Sequence, residues 1–101
     1  MAEKSVVEKV REYAEVVRQR FPIKKIVLFG SCARGEARPG SDIDVAVVME
    51  KEPDDVLSVE AELFRLRRNI DVRIEPVLVD DTRDLSGFWE EISKYGLAIY
   101  G

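Results

Sequence analysis

The spacing of hydrophobic residues predicts a chain in which helices and strands alternate. Apolar residues recur at a helical period over residues 4–21, and Pro22 ends this helix because the residue before a proline disfavours helical geometry. A second helical stripe follows residues 52–55, Glu-Pro-Asp-Asp, whose proline and acidic residues are typical of a helix start. Its apolar positions are Val56, Val59, Leu63 and Leu66. A last helix is predicted over residues 86–95, with Gly96 as its cap.

Short apolar runs between these helices predict the strands. They cover residues 24–29, 42–49 and 71–79, and residues 97–100 add a short fourth strand. Pro76 indicates that the third strand lies at a sheet edge or contains a bulge. The alternation predicts an α/β (α+β) fold, a mixed β-sheet covered by helices. With 101 residues, the chain is expected to form one domain over residues 1–101.

Composition indicates a globular protein without a membrane segment. The longest uninterrupted apolar run, residues 45–49, is far shorter than the roughly 20 residues that a membrane helix needs. The first residues lack the apolar stretch of a secretory signal, so we expect a cytoplasmic protein. The net charge of -4 disfavours bulk binding of nucleic acid. Arg65, Arg67 and Arg68 could contact phosphate, although a solvated helix face is the simpler interpretation.

The absence of histidine excludes several kinds of catalysis. Neither a Ser-His nor a Cys-His nucleophilic pair can form, and a Cys/His zinc site is equally excluded. Cys32 is the one cysteine, so the chain cannot form an internal disulfide. Any chemistry therefore depends on carboxylates, backbone amides, arginines, lysines and hard metal ions.

The most informative stretch is residues 30–44, GSCARGEARPGSDID. Gly30 and Ser31 come where a buried strand gives way to a new helix, a junction whose unpaired backbone N–H groups can hold phosphate oxygens. Gly30 permits close approach of a ligand, and the Ser31 hydroxyl can donate to phosphate. The alternative is an ordinary strand-to-helix turn in which Ser31 caps the helix.

Asp42 and Asp44 flank Ile43 at the start of the second strand. Alternate strand residues share a face, so both carboxylates point the same way, about 6.5–7 Å apart at Cα. Such a pair can hold the divalent metals of a two-metal site, and Mg²⁺ prefers these oxygen ligands. Ile43 then faces the core together with Val45 and Val47. The alternative is a polar strand edge that faces solvent.

A third carboxylate usually completes a site of this kind, and the third strand offers two. Asp71 and Glu75 are four residues apart and share one strand face. We prefer Glu75 because Ile74 and Pro76 flank it with apolar surface. Asp71 lies at the start of the strand, where capping or pairing in solvent would explain it.

The Gly30-Ser31 pair, ten intervening residues and the Asp42-x-Asp44 pair together resemble the minimal nucleotidyltransferases of the polymerase-β-like superfamily. The similarity extends through residues 33–35 and includes Ser41. It implies a mixed sheet with packed helices. It also implies a catalytic and metal-binding set, Asp42, Asp44 and Glu75, and a nucleotide-binding set, Gly30, Ser31, Arg34 and Ser41. Cys32 departs from the polar or small residue expected at its position.

The same resemblance implies a reaction and a partner. Two Mg²⁺ ions would act with ATP, a nucleoside triphosphate, as the substrate. AMP would pass to a hydroxyl group of a HEPN-type partner protein, for which this chain would be the antitoxin. The alternative is a non-catalytic nucleotide-binding module that masks its partner, with Trp89, Tyr95 and Tyr100 as interface candidates unless they pack in the core. A homo-oligomer is compatible with either reading.

Overall fold

The computed structural model describes residues 2–101 and contains a four-stranded sheet with helices on both faces. The elements in chain order are α1 (Lys4–Arg20), β1 (Ile23–Phe29), α2 (Gly30–Arg34), β2 (Ile43–Met49), α3 (Val56–Leu66), β3 (Ile74–Val79), α4 (Phe88–Tyr95) and β4 (Leu97–Tyr100). A single 3₁₀ turn, Arg67–Asn69, follows α3. The predicted alternation of helices and strands is confirmed.

The strand order β3-β2-β1-β4 makes the sheet mixed, as predicted. Strand β1 is antiparallel to both β2 and β4, whereas β2 and β3 are parallel and are connected through α3. Strand β3 lies at an edge, which explains how the sheet accommodates Pro76 without losing a central hydrogen bond. Because β2 and β3 are parallel, both strands begin at the same end of the sheet.

The two faces of the sheet are covered differently. Helices α1 and α3 pack on one face, where Ile43, Val45 and Val47 join the main core as predicted. The buried Tyr13 hydroxyl of α1 donates to the Leu63 carbonyl of α3 at 2.7 Å and so ties these two helices together. Helix α4 covers part of the opposite face, where Ile92 packs in a smaller cluster. Within residues 2–101, no helix is both long and apolar enough to cross a membrane.

Hydrogen bonds from backbone N–H groups to aspartate side chains explain two boundaries that differ from the prediction. Strand β3 begins at Ile74 rather than at residue 71, because Asp71 forms a turn in which its carboxylate accepts from the Arg73 N–H at 2.9 Å. Helix α4 begins at Phe88 rather than at residue 86, because the Asp84 carboxylate accepts from the Trp89 N–H at 2.9 Å.

One predicted stripe position of α3 is wrong. Val56 is 37% exposed, whereas Val59 and Leu63 are buried. The start of α3 is nevertheless as expected, since Asp55 caps it by accepting from the Ser58 N–H at 3.1 Å.

Candidate functional site

Phe29, Asp44 and Glu75 form a row across three neighbouring strands. Asp44 of β2 pairs with Phe29, the last residue of β1, and on its other side with Glu75 of β3. Residues paired across strands point to the same face, and the neighbours of Asp44 along β2 point into the main core. The row therefore lies on the sheet face that α4 covers in part. The prediction that the second strand includes residue 42 is wrong, because β2 begins at Ile43; Asp42 precedes it by one residue, is exposed, and lies at the same end of the sheet.

Gly30 lies directly against the Asp44 carboxylate. Its φ of +74° belongs to the left-handed region that favours glycine. A Cβ added at this position would approach Asp44 Oδ2 more closely than 3.0 Å and would lie 3.3 Å from Asp44 Cγ. The turn and the carboxylate thus approach each other in a way that only glycine allows.

Helix α2 is a single turn that begins at this glycine. Its N-cap residue, Phe29, makes no side-chain hydrogen bond to it, and first-turn N–H groups have no partner within a helix. Ser31 lies in this first turn and is half-buried. The predicted phosphate-binding turn therefore lies beside one of the predicted carboxylates, that of Asp44.

Cys32 connects this turn to the start of β2. Its Sγ donates to the Asp42 carbonyl at 3.4 Å, and the side chain is buried in the main core. Burial raises the pKa of the Cys32 thiol, and the nearby Asp44 carboxylate raises it further. The residue that departs from the expected pattern therefore packs as a buried thiol.

The electrostatics of the row are those of crowded negative charges. Burial raises the pKa of Asp44 above its usual value, and the nearby charges of Asp42 and Glu75 raise it further. Among residues 2–101, no side chain donates a hydrogen bond to any of these three carboxylates or pairs with it. A bound cation would relieve this repulsion.

Asp71, the alternative third carboxylate, has a quite different environment. Its carboxylate accepts from the Arg73 guanidinium, with Nη2 to Oδ2 at 2.8 Å. The hydrogen bond from Arg73 lowers the pKa of Asp71, although its partial burial opposes that shift. Because Asp71 precedes β3 and already has a cation as its partner, the geometry favours Glu75 as the third carboxylate of the site.

The other two predicted nucleotide-binding residues lie on the loop side of the turn. Arg34 is exposed at the end of α2, and its Nε donates to Glu36 Oε2 at 3.3 Å. The Ser41 hydroxyl accepts from the Arg38 N–H at 2.9 Å and closes the turn that precedes Asp42. Ser41 thus has a structural contact of its own, and its hydroxyl proton can still be donated.

The donor atoms suit Mg²⁺ shared with a nucleotide better than a metal held by protein alone. In the described part of the chain, no three Cys, Asp or Glu side chains are oriented to hold a metal ion by themselves. Mg²⁺ is usually held by one or two carboxylates and completes its shell with phosphate oxygens and water. Asp42 and Asp44 fit that pattern. The role of Glu75 as a third ligand stays a prediction.

A cavity of about 450 Å³ opens beside Gly30, and most of the residues that line it were not predicted from the sequence. Its lining residues are Phe29, Gly30, Arg34, Phe88, Glu91, Ile92, Tyr95 and Gly96. The rings of Phe29 and Phe88 meet edge to face with centroids 5.8 Å apart. The sequence feature that indicates this cavity wall is the spacing of Phe88, Ile92 and Tyr95, which places them on one side of α4.

The three aromatic interface candidates differ in their surroundings. Trp89 is half-buried and packs with the smaller cluster under α4. Tyr100 packs against the main core, and the Arg18 guanidinium lies 4.0 Å from its ring centroid. Tyr95 is 65% exposed and lines the cavity beside Gly30. The packing alternative therefore describes Trp89 and Tyr100, and Tyr95 remains exposed.

Known proteins resemble the chain in sequence and in fold. A protein adenylyltransferase, MntA, of Thermococcus cleftensis is 36% identical over 62 residues, which cover 61% of this chain and 62% of that protein. A solved toxin–antitoxin structure with AMP-PNP has a TM-score of 0.69 and 24% identity, covering 94% of this chain and 73% of the other. A second solved structure with a similar fold is that of tri-AMPylated Shewanella oneidensis HEPN toxin in complex with MNT antitoxin. That match has a TM-score of 0.65 and 23% identity, covering 93% of this chain and 71% of the other.

The structural matches are below 25% identity and show the fold alone. The family follows from the sequence itself, because the model described as the nucleotidyltransferase domain matches residues 10–97. That range contains the turn at Gly30 and the carboxylates of Asp42, Asp44 and Glu75. The chain belongs to the nucleotidyltransferase domain family.

Proposed function

We propose that this chain is a Mg²⁺-dependent protein adenylyltransferase, which transfers AMP from ATP to a hydroxyl group of a partner protein. The observation that carries the proposal is the contact of Asp44 with Gly30 on one side and its pairing with Glu75 on the other. A nucleotide whose phosphates lie at the turn has oxygen ligands for a cation next to them. The name of the Thermococcus cleftensis relative supports a protein as the acceptor.

The cavity beside the turn supports a nucleotide as the donor. Gly30 borders both the cavity and Asp44. A nucleotide whose base lies in the cavity between Phe88 and Tyr95 therefore has its phosphates near the carboxylates. Flat aromatic walls suit a nucleobase, which stacks on such side chains. The solved relative with AMP-PNP shows that an antitoxin assembly of this fold has been captured with an ATP analogue.

The proposed step is a displacement at the α-phosphorus of ATP. The acceptor hydroxyl oxygen bonds to the α-phosphorus, the bond to the bridging oxygen breaks, and pyrophosphate leaves. Glu75 accepts the hydroxyl proton as general base or orients the acceptor. Asp42 and Asp44 would hold Mg²⁺, with two ions expected, which supplies positive charge against the triphosphate. The protein contributes alignment and charge, and it forms no covalent intermediate.

We propose further that the partner is a HEPN-type toxin and that this chain is its antitoxin. The support is the Shewanella oneidensis complex, in which a tri-AMPylated HEPN toxin is bound to an MNT antitoxin of the same fold. AMP transfer to the toxin would then be both the enzymatic reaction of this chain and its function as an antitoxin.

Labelled ATP tests the reaction. The chain is incubated with Mg²⁺ and a purified HEPN-type protein from the same genome, with ATP labelled at either the α- or the γ-phosphate. We expect the α-label on the partner and the γ-label in pyrophosphate, and intact mass spectrometry should show whole AMP units added. Chelation of Mg²⁺ should abolish the transfer. Neutralisation of the partner with ATP bound and no AMP added would instead identify a masking module.

A further inference from the structure

The outer side of α3 carries a second apolar stripe, which the described chain covers only in part. Helix α3 buries Val59 and Leu63 against the sheet. On its other side Leu57, Ala61 and Phe64 follow one another at helical spacing, and Leu57 is 79% exposed. A helix at the surface of a globular protein normally has one apolar stripe, so this second stripe needs a separate explanation.

The stripe continues into a basic cavity of about 430 Å³ at the C-terminal end of α3. We call it the arginine groove, and its lining residues are Ala61, Phe64, Arg65, Arg67, Arg68 and Val72. Val72 is 64% exposed, so the groove offers apolar surface to an incoming group. The groove therefore brings apolar side chains and three arginines together.

The arginines of the groove are only partly neutralised. Arg65 pairs with Glu62, and Arg20 shares that same carboxylate at 3.3 Å. Arg67 donates to the Ile74 carbonyl at 2.7 Å, and its guanidinium lies 4.9 Å from the Phe64 ring centroid. For the Arg68 side chain, the described residues provide no hydrogen-bond or ion-pair partner. This region is therefore positive in a chain whose net charge is -4.

This combination selects the chemistry of an occupant. Arginine and aromatic residues are enriched where proteins bind proteins, and an apolar groove on a helix accepts the apolar side of another helix. Charge complementarity requires acidic residues beside that apolar side. Nucleic acid fits less well, because its binding is dominated by phosphate charge and gains little from Phe64 and Val72.

We propose that the arginine groove docks a helical segment of a partner protein, in which glutamate or aspartate residues flank an apolar stripe. Phe64 and Val72 contact the apolar side of this segment, and Arg68 pairs with one of its carboxylates. The groove lies on the face that α1 and α3 cover, whereas Asp44 and Glu75 lie on the opposite face. A docked segment therefore leaves the carboxylates accessible, and docking uses none of the residues proposed to bind nucleotide.

A peptide titration followed by NMR tests the groove. The probe is a synthetic helical peptide with a leucine stripe flanked by glutamates, added to the ¹⁵N-labelled chain without nucleotide. We expect shift changes centred on residues 61–72, with affinity that falls as salt is raised. The same peptide with lysines in place of the glutamates should bind at least about tenfold more weakly, because charge complementarity is lost.

Matched variants locate the binding. Arg68→Glu and Phe64→Ser should each weaken the glutamate peptide by about 10- to 100-fold. Arg11→Glu changes the net charge equally on exposed α1 surface, and Leu85→Ser removes an apolar side chain that is 95% exposed elsewhere, so both should leave the affinity within about twofold. Arg68 is exposed, so its variant tests the groove even if Phe64→Ser unfolds the chain.

The proposal is overturned if the two peptides bind equally, or if Arg68→Glu binds like Arg11→Glu. Tighter binding of a single-stranded DNA oligonucleotide than of the glutamate peptide, lost in Arg68→Glu, would overturn it in favour of nucleic acid. Because no ATP is present, these outcomes are independent of whether the chain transfers AMP.

Discussion

Two carboxylates at the same end of the sheet, those of Asp71 and Asp44, have opposite surroundings. Asp71 precedes β3 and accepts hydrogen bonds from the Arg73 guanidinium, which lowers its pKa. Asp44, on the neighbouring strand, has only negative neighbours and a raised pKa. The first carboxylate has its counter-charge within the chain, whereas the second requires one from outside. Charges left uncompensated in a fold are expected at functional sites.

The largest difference between the Asp44 and Asp71 carboxylates is expected in their effects on activity. Asp44→Asn should lower AMP transfer by about 100- to 1000-fold, because it removes a charge that holds the cation against the phosphates. Asp71→Asn should change it by less than about threefold, because an ion pair near the surface contributes little. Initial rates with α-labelled ATP compare the two variants. Equal losses would mean that the distinction between the two carboxylates has no bearing on catalysis.

A pair of glycine variants isolates the contact between the turn and Asp44. Gly30 and Gly40 both have positive φ, but an added Cβ meets Asp44 only at Gly30 and nothing within 4 Å at Gly40. Each alanine variant should lose about 1 kcal/mol of the free energy of unfolding from the backbone conformation alone. Gly30→Ala should also lose about tenfold or more in transfer rate, because the Asp44 carboxylate must move aside.

Urea denaturation and steady-state rates measure both effects. If Gly40→Ala loses as much activity as Gly30→Ala, the loss comes from the loop and not from Asp44.

The sequence pattern predicts most of the fold because the long helices each bury one regular face and the central strands are continuous apolar runs. The strands at Ile23–Phe29 and Ile43–Met49 follow from their apolar runs, and the edge position of β3 follows from Pro76. The missed boundaries lie where a side chain competes with the backbone. The Asp71 and Asp84 carboxylates accept backbone N–H groups and so delay β3 and α4, and apolar spacing contains no signal for this.

The candidate site likewise has features that the sequence predicts and features that depend on the tertiary fold. The alternation of Asp42 and Asp44 and the adjacent glycine turn are local features, so a motif reveals them. Glu75 could be chosen only by its apolar neighbours, because its pairing with Asp44 depends on the register of β2 against β3. The cavity wall at Phe88 and Tyr95 comes from a helix more than 40 residues away in sequence, and its approach to Gly30 depends on tertiary packing.

The same two carboxylates should have opposite effects on stability. The pKa of Asp71 is lowered in the folded state, so its contribution is present above the pKa of the unfolded chain and is lost as the pH falls through its folded pKa. The pKa of Asp44 is raised, so the folded state binds the proton more readily. Its cost is present at neutral pH and disappears as the pH falls below the unfolded value.

Without nucleotide or Mg²⁺ at pH 7, Asp71→Asn should therefore lower the melting temperature, by an amount equivalent to about 0.5 kcal/mol. Asp44→Asn should raise it, because the substitution removes the repulsion from Asp42 and Glu75. Both differences from the parent chain should shrink near pH 3, where the carboxylates of the unfolded chain are protonated. Calorimetric scans at the two pH values measure the four differences. A lower melting temperature for Asp44→Asn at pH 7 would mean that Asp44 is already compensated within the fold and has no need of a cation.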